Sequence, residues 1–156
     1  MSDEKKTFPL PYPAMELTPH EPPILMVETI NSVDDDAESA VIGLTVRETN
    51  PFLEADGRLA NEALIEIMAQ AAAAQDGFNA LRDGNPARRE GFLVGVSKFS
   101  VERGVVLGDE LEVSVELGPE FESLCVVFCG IRGKDGGIAS AELTVWKGAG
   151  KPGSER

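Results

Sequence analysis

Histidine occurs once in the 156 residues, cysteine twice, and basic residues number 14 against 27 acidic ones, leaving a formal charge of −13. That excess of acid excludes general attraction to nucleic-acid phosphates or to an anionic membrane surface, so neither is expected as a partner. No apolar run approaches the roughly 20 residues that cross a bilayer. Met1 to Lys6 is too charged, and the stretch after it too rich in proline, for a secretory leader. Cys125 and Cys129 sit in a segment with strand character, which sets their Cα atoms about 13 Å apart. A disulfide tolerates no more than about 7 Å. With no histidine near them they form no zinc site, and a reducing cytoplasm is expected, with neither a metal nor another cofactor.

What is present is an ordinary globular composition, 42% hydrophobic and 26% charged, long enough for one domain with a real core. Six of the ten prolines fall between Pro9 and Pro23, so residues 1–16 read as a proline-rich arm, extended or irregular rather than helical. The domain proper is expected over 17–147, with no internal repeat, and a disordered tail over 148–156. Within it Ile24 to Ile30 is a short apolar run. An acidic turn, Asn31 to Asp36, follows, and then Ala40, Ile42, Leu44 and Val46 alternate with more polar neighbours. The pattern predicts two strands. A loop-like stretch, Pro51 to Ala60, ends at Asn61, an expected N-cap, and a helix rich in alanine and leucine is predicted from about Asn61 to about Leu81, with Gly77 as a weak point.

Four more strands are predicted at Phe92 to Val101, Leu111 to Leu117, Leu124 to Ile131 and Ile138 to Trp146. Turn signals separate them at Gly108-Asp109, Gly118-Pro119 and Asp135-Gly136-Gly137. Two strands, one helix and four strands joined by short links give an α+β protein with a largely antiparallel sheet, whose apolar face only that helix can cover. Along the helix Glu62, Glu66 and Gln70 recur every four residues and share a stripe. The stripe is either the solvated side of an amphipathic helix or the wall of a cleft with Glu66 in it.

At these residues the chain resembles a known family. Glu66-Ile67-Met68-Ala69-Gln70 is similar to the E-x-M/L-A-Q motif on the central helix of hotdog-fold 3-hydroxyacyl-acyl-carrier-protein dehydratases. Pro19-His20-Glu21-Pro22-Pro23-Ile24-Leu25-Met26-Val27-Glu28 resembles the segment leading into that family's first strand. Gly95-Val96-Ser97-Lys98-Phe99 and Val105-Val106-Leu107-Gly108-Asp109-Glu110-Leu111 resemble a later strand and turn. The resemblance covers about 17–147 and implies a hotdog fold, one long helix wrapped by a six-stranded antiparallel sheet, that acts on acyl thioesters of acyl carrier protein in fatty-acid or polyene-type biosynthesis. It also implies a homodimer or a hetero-hotdog dimer joined edge to edge, with Gly95 and Val96 beside the substrate. One departure is plain: the family's loop histidine, in an H-F-P-G sequence, is missing. Pro51-Phe52-Leu53-Glu54-Ala55-Asp56-Gly57 instead resembles the P-F-L-x-A-D-G of a divergent branch associated with aryl-polyene-type pathways.

Dehydrating a 3-hydroxyacyl thioester takes a base for the α proton, an acid for the departing hydroxyl and donors for the enolate-like oxygen. Glu66 suits the acid. Helix N-terminal N–H groups near Asn61 suit the oxygen, and Gln70 stands where it can orient Glu66 or a substrate carbonyl. For the base the candidates are Asp56, with Glu54 beside it, and His20, each of which reads equally as a turn residue or a structural contact of the arm. Arg88, Arg89, Lys98 and Arg103 lie in the one locally positive stretch. They mark either solvated surface or the landing place of an acyl carrier protein or of coenzyme A phosphates. Two other activities fit the same residues, a hotdog thioesterase working through Glu66 and a non-catalytic acyl-binding partner subunit.

Overall fold

The computed structural model describes residues 8–34, 36, 38–84 and 91–147. In chain order the elements are β1 (Tyr12–Pro13), a short 3-10 turn (Ala14–Glu16), β2 (Thr29–Val33), β3 (Ser39–Thr45), β4 (Arg58–Leu59), α1 (Glu62–Arg82), β5 (Gly91–Val101), β6 (Val105–Val106), β7 (Glu110–Phe121), β8 (Leu124–Gly133) and β9 (Gly136–Lys147). Seven strands form one sheet in the order β1-β2-β3-β7-β8-β9-β5, while β4 and β6 pair separately. Every pairing is antiparallel. One face of the large sheet packs on α1. Inward-pointing Ile42, Val113, Val127 and Leu143 meet Leu64, Ile67, Met68 and Ala71 of the helix, all of them buried. Strict alternation produces this, because every second residue of a strand points to the same face.

The seventh strand comes from the arm: Tyr12 and Pro13 pair with Ile30 and Thr29. Tyr12 and Phe8 pack edge-on against Phe78 near the end of α1. Two boundaries differ from expectation. Leu25, Met26 and Val27 are buried, yet β2 begins only at Thr29, because the N–H groups of Met26 and Val27 are taken by a side chain of the helix and not by a neighbouring strand. Gly118-Pro119 is not a turn. β7 runs on to Phe121 through an irregularity between Leu117 and Glu120, a place where proline's missing N–H costs no ladder bond. A Cβ on Gly118 would meet the Phe128 ring, and the reversal is made at Glu122, with φ of 56°. The expected disordered tail lies outside the described residues. Among those described, no helix is long and apolar enough to cross a membrane.

Candidate functional site

Along the polar stripe of α1 the side chains become progressively drier. Glu62 is exposed, Glu66 is half-buried and Gln70 is buried. The solvated-stripe alternative therefore holds for Glu62 only. Gln70 lies among four groups: its Oε1 accepts the main-chain N–H of Met26 at 2.7 Å and of Val27 at 3.4 Å, and its Nε2 donates to the carbonyl of Ile24 at 2.9 Å and to Glu66 Oε2 at 3.1 Å. A buried amide leaves no donor or acceptor idle without cost, which accounts for this set of partners. The pair Glu66 and Gln70, four apart on one helix face, is the part of the expected site that the structure brings together.

At the start of the helix a cleft of about 660 Å³ is lined by Glu54, Arg58, Asn61, Glu62, Ile65 and Phe99, among others. Asn61 does not cap the helix. Its backbone is already helical, at φ −61° and ψ −29°, and its side chain makes no capping bond. Asp56 is committed to the turn before β4, where its carboxylate accepts the Arg58 N–H at 3.1 Å and Arg58 Nε at 3.0 Å. The Arg58 main-chain N–H, then its guanidinium, hold the Asp56 carboxyl below the usual carboxylate range. Gly57, at φ of 88°, closes that turn in the left-handed region. His20 is exposed, and its main-chain N–H bonds the buried Thr18 hydroxyl at 3.2 Å. Among the described residues neither Asp56 nor His20 hydrogen-bonds Glu66.

Gly95 and Val96 lie on β5, the edge strand at the end of the sheet opposite β1, facing Thr144 and Leu143 of β9. The same strand exposes Phe92, Leu93 and Val94. Of the four expected cationic residues, Arg88 and Arg89 lie outside the described residues. Lys98 pairs with Glu142 across β5 and β9 at 3.2 Å. Arg103 forks onto Asp135 and also reaches Asp109 at 3.0 Å, tying the link after β5 to the turn between β8 and β9. That buttress was not foreseen from sequence. Asp135 in its turn and Asp109 after Gly108 were its only signals, and nothing linear joins them to Arg103. Among the described residues no three histidine, cysteine or acidic side chains converge to hold a metal.

Comparison with known proteins adds the family. The chain is similar in structure to the dehydratase heterocomplex ApeI:P from Xenorhabdus doucetiae, with a TM-score of 0.78, 23% identity, and coverage of 87% of this chain and 91% of that one. A hypothetical thioesterase from Streptococcus pneumoniae, crystallised with coenzyme A, superposes with a TM-score of 0.59 at 18% identity, covering 76% of this chain and 84% of that one. The PaaI protein of the E. coli phenylacetic acid degradation operon does so with 0.58 at 16%, covering 75% and 80%. Identities this low speak for the fold, and the fold is the hotdog: one helix against a large antiparallel sheet. No curated protein matches the sequence. The family model of the ApeP dehydratase, however, matches residues 12–152, the whole domain with the arm's strand included, and the chain belongs to the ApeP-like dehydratase family.

Proposed function

We propose that this chain is the Glu66-bearing subunit of a dehydratase acting on 3-hydroxyacyl thioesters, and that the base comes from a second hotdog chain seated on the β5 edge. The observation that carries the reading is the Glu66 carboxylate, half-buried on the central helix and fastened on one oxygen by Gln70. In the reaction the base takes the α proton and the C–H electrons move onto the thioester carbonyl as an enolate. As they return to form the Cα=Cβ bond the Cβ–O bond breaks, and the hydroxyl leaves as water with the proton Glu66 supplies. Helix N-terminal N–H groups near Asn61, with the positive end of the helix dipole, favour the negative carbonyl oxygen. A 2-enoyl thioester and water result.

A base from outside the chain is consistent with the open edge and with a structural relative that is a heterocomplex. It also accounts for a loop without histidine and for an Asp56 engaged by Arg58. The substrate's carrier is acyl carrier protein or coenzyme A. Lys98 on β5, together with Arg88 and Arg89, is the expected contact for its anionic groups, while Arg103 serves as the buttress. The two free, buried cysteines fit a cytoplasmic setting.

The test measures dehydration and hydrolysis of one 3-hydroxyacyl thioester by the full chain, alone and mixed with a histidine-bearing hotdog dehydratase chain. Glu66→Gln is expected to lower dehydration by roughly 100-fold or more, with folding little changed. Glu66-dependent hydrolysis without dehydration would make the chain a thioesterase. Dehydration unaffected by Glu66→Gln would remove Glu66 from the chemistry.

A further inference from the structure

The Gln70 amide has only one chemically allowed orientation. Its oxygen faces two main-chain N–H groups, those of Met26 and Val27, and its nitrogen faces a carbonyl and a carboxylate. A flip would set donors against donors and oxygens against oxygens at all four contacts. Both Nε2 hydrogens are therefore spoken for, one by Ile24 and one by Glu66. Three of the four partners that impose this orientation belong to the segment 24–27, more than 40 residues away in the chain, where β2 has not yet begun.

We infer that Gln70 is a positioning residue that holds Glu66 by Oε2 and so reserves Oε1 for proton exchange with the substrate, and that the Ile24 to Val27 segment is the lock that keeps it so. This rests on the reading of Glu66 as the proton-transfer group. A carboxylate on a free side chain presents either oxygen over a spread of rotamers, and orientation alone carries a large share of catalytic rate. Here the spread is removed by a hydrogen bond whose donor cannot turn away. The arm's entry into the sheet is thus part of the site, although nothing in it need touch substrate.

The alternative is that Gln70 only fastens the arm, with Glu66 as an incidental neighbour. Two variants separate these. Gln70→Met keeps length and removes both functions; Gln70→Glu, when ionised, still accepts from Met26 and Val27 but donates to neither Ile24 nor Glu66, so the arm keeps two of its three bonds while Glu66 loses the only one Gln70 gives it. If Gln70 positions Glu66, each lowers kcat by about 10-fold or more with KM within about two-fold. Each then adds less than about two-fold in a Glu66→Gln background, because residues acting as a unit are non-additive. If Gln70 only fastens the arm, Gln70→Glu retains kcat, or the loss persists in full beside Glu66→Gln, and the inference is overturned. Should Gln70→Met fail to fold, Gln70→Glu decides. A readout that needs no activity is hydrogen exchange of the Gln70 side-chain amide by NMR on the full chain. Glu66→Ala is expected to speed one of its two protons at least 10-fold while the other, on Ile24, stays protected. Equal protection of both would overturn the lock, whereas a chain that dehydrates nothing, alone or mixed, would remove only the role of Glu66.

Discussion

Gly77 shows how much one position can hold that its residue type conceals. From sequence it is a weak point of the helix, since glycine costs about 1 kcal/mol against alanine there. In the structure it is where the arm crosses α1, and a Cβ at this position would run into the Leu17 carbonyl. Backbone cannot step aside as a side chain can. Gly77→Ala is therefore expected to destabilise the fold by about 1–3 kcal/mol despite its better helix propensity, as read by urea unfolding; a more stable variant would mean that the arm does not lie there. The cysteines are the second case at this scale. Burial pushes the Cys129 thiol up to about 12 and raises that of Cys125 as well. Since the thiolate is the reactive form, neither should react with an aromatic disulfide reagent at pH 8 until the protein unfolds. Reaction in the native state would show that β8 opens.

Of the two edge strands of the large sheet, β1 spans two residues and β5 eleven, and β5 is apolar where a monomer would place charge. Val94 is 58% exposed and Phe92 45%. Val94→Lys is expected to weaken association by about 10-fold or more, seen as a shift toward monomer in light scattering with an unchanged far-UV spectrum. An unaltered assembly would move the interface elsewhere. Arg103 joins two other elements and gives a pH dependence whose sign can be worked out. The Arg103 guanidinium, helped by a main-chain N–H, holds the Asp135 carboxyl below its ordinary value. A lowered folded-state pKa stabilises the fold above the unfolded value, near 4, and the contribution is lost as pH falls through the lowered one. The stability deficit of Arg103→Ala should thus be present at pH 7 and shrink as pH falls below the ordinary carboxylate range in thermal unfolding. A deficit independent of pH would mean that Arg103 acts by packing alone.

Over the whole molecule the acids are in surplus even after pairing. Seven of the eight described basic residues, Arg82 being the other, sit within ion-pair distance of a carboxylate. Arg82 lies over the Phe78 ring. The charge of −13 means 13 more carboxylates than cations in the chain, and self-repulsion opposes compactness. Exposed pairs contribute at most about 1 kcal/mol each, and salt screens them too. The surplus dominates, so raising NaCl from about 20 to about 300 mM, which shortens the Debye length from roughly 20 Å to roughly 6 Å, should raise the thermal midpoint. A fall would show that the ion pairs outweigh the surplus.

The order of the longer elements (β2, β3, α1, β5, β7, β8 and β9), the antiparallel sheet, the single helix to within a residue or so, and the stripe that Glu66 and Gln70 share were legible in the sequence, whereas the two-residue strands β1, β4 and β6 were not. Each rests on local periodicity: alternation for strands, and a spacing of four for neighbours on a helix face. What lay outside it was decided by contacts distant in sequence. Met26 and Gln70 are 44 residues apart, so no local pattern could tell that a helix side chain would take the N–H groups of a predicted strand and dry out the far end of a polar stripe. In the same way Tyr12 became a strand because Ile30 was there to pair with it, and Arg103 forks onto Asp135, 32 residues on. Whether a polar side chain meets water or a partner depends on what folds over it, and only the tertiary structure supplies that.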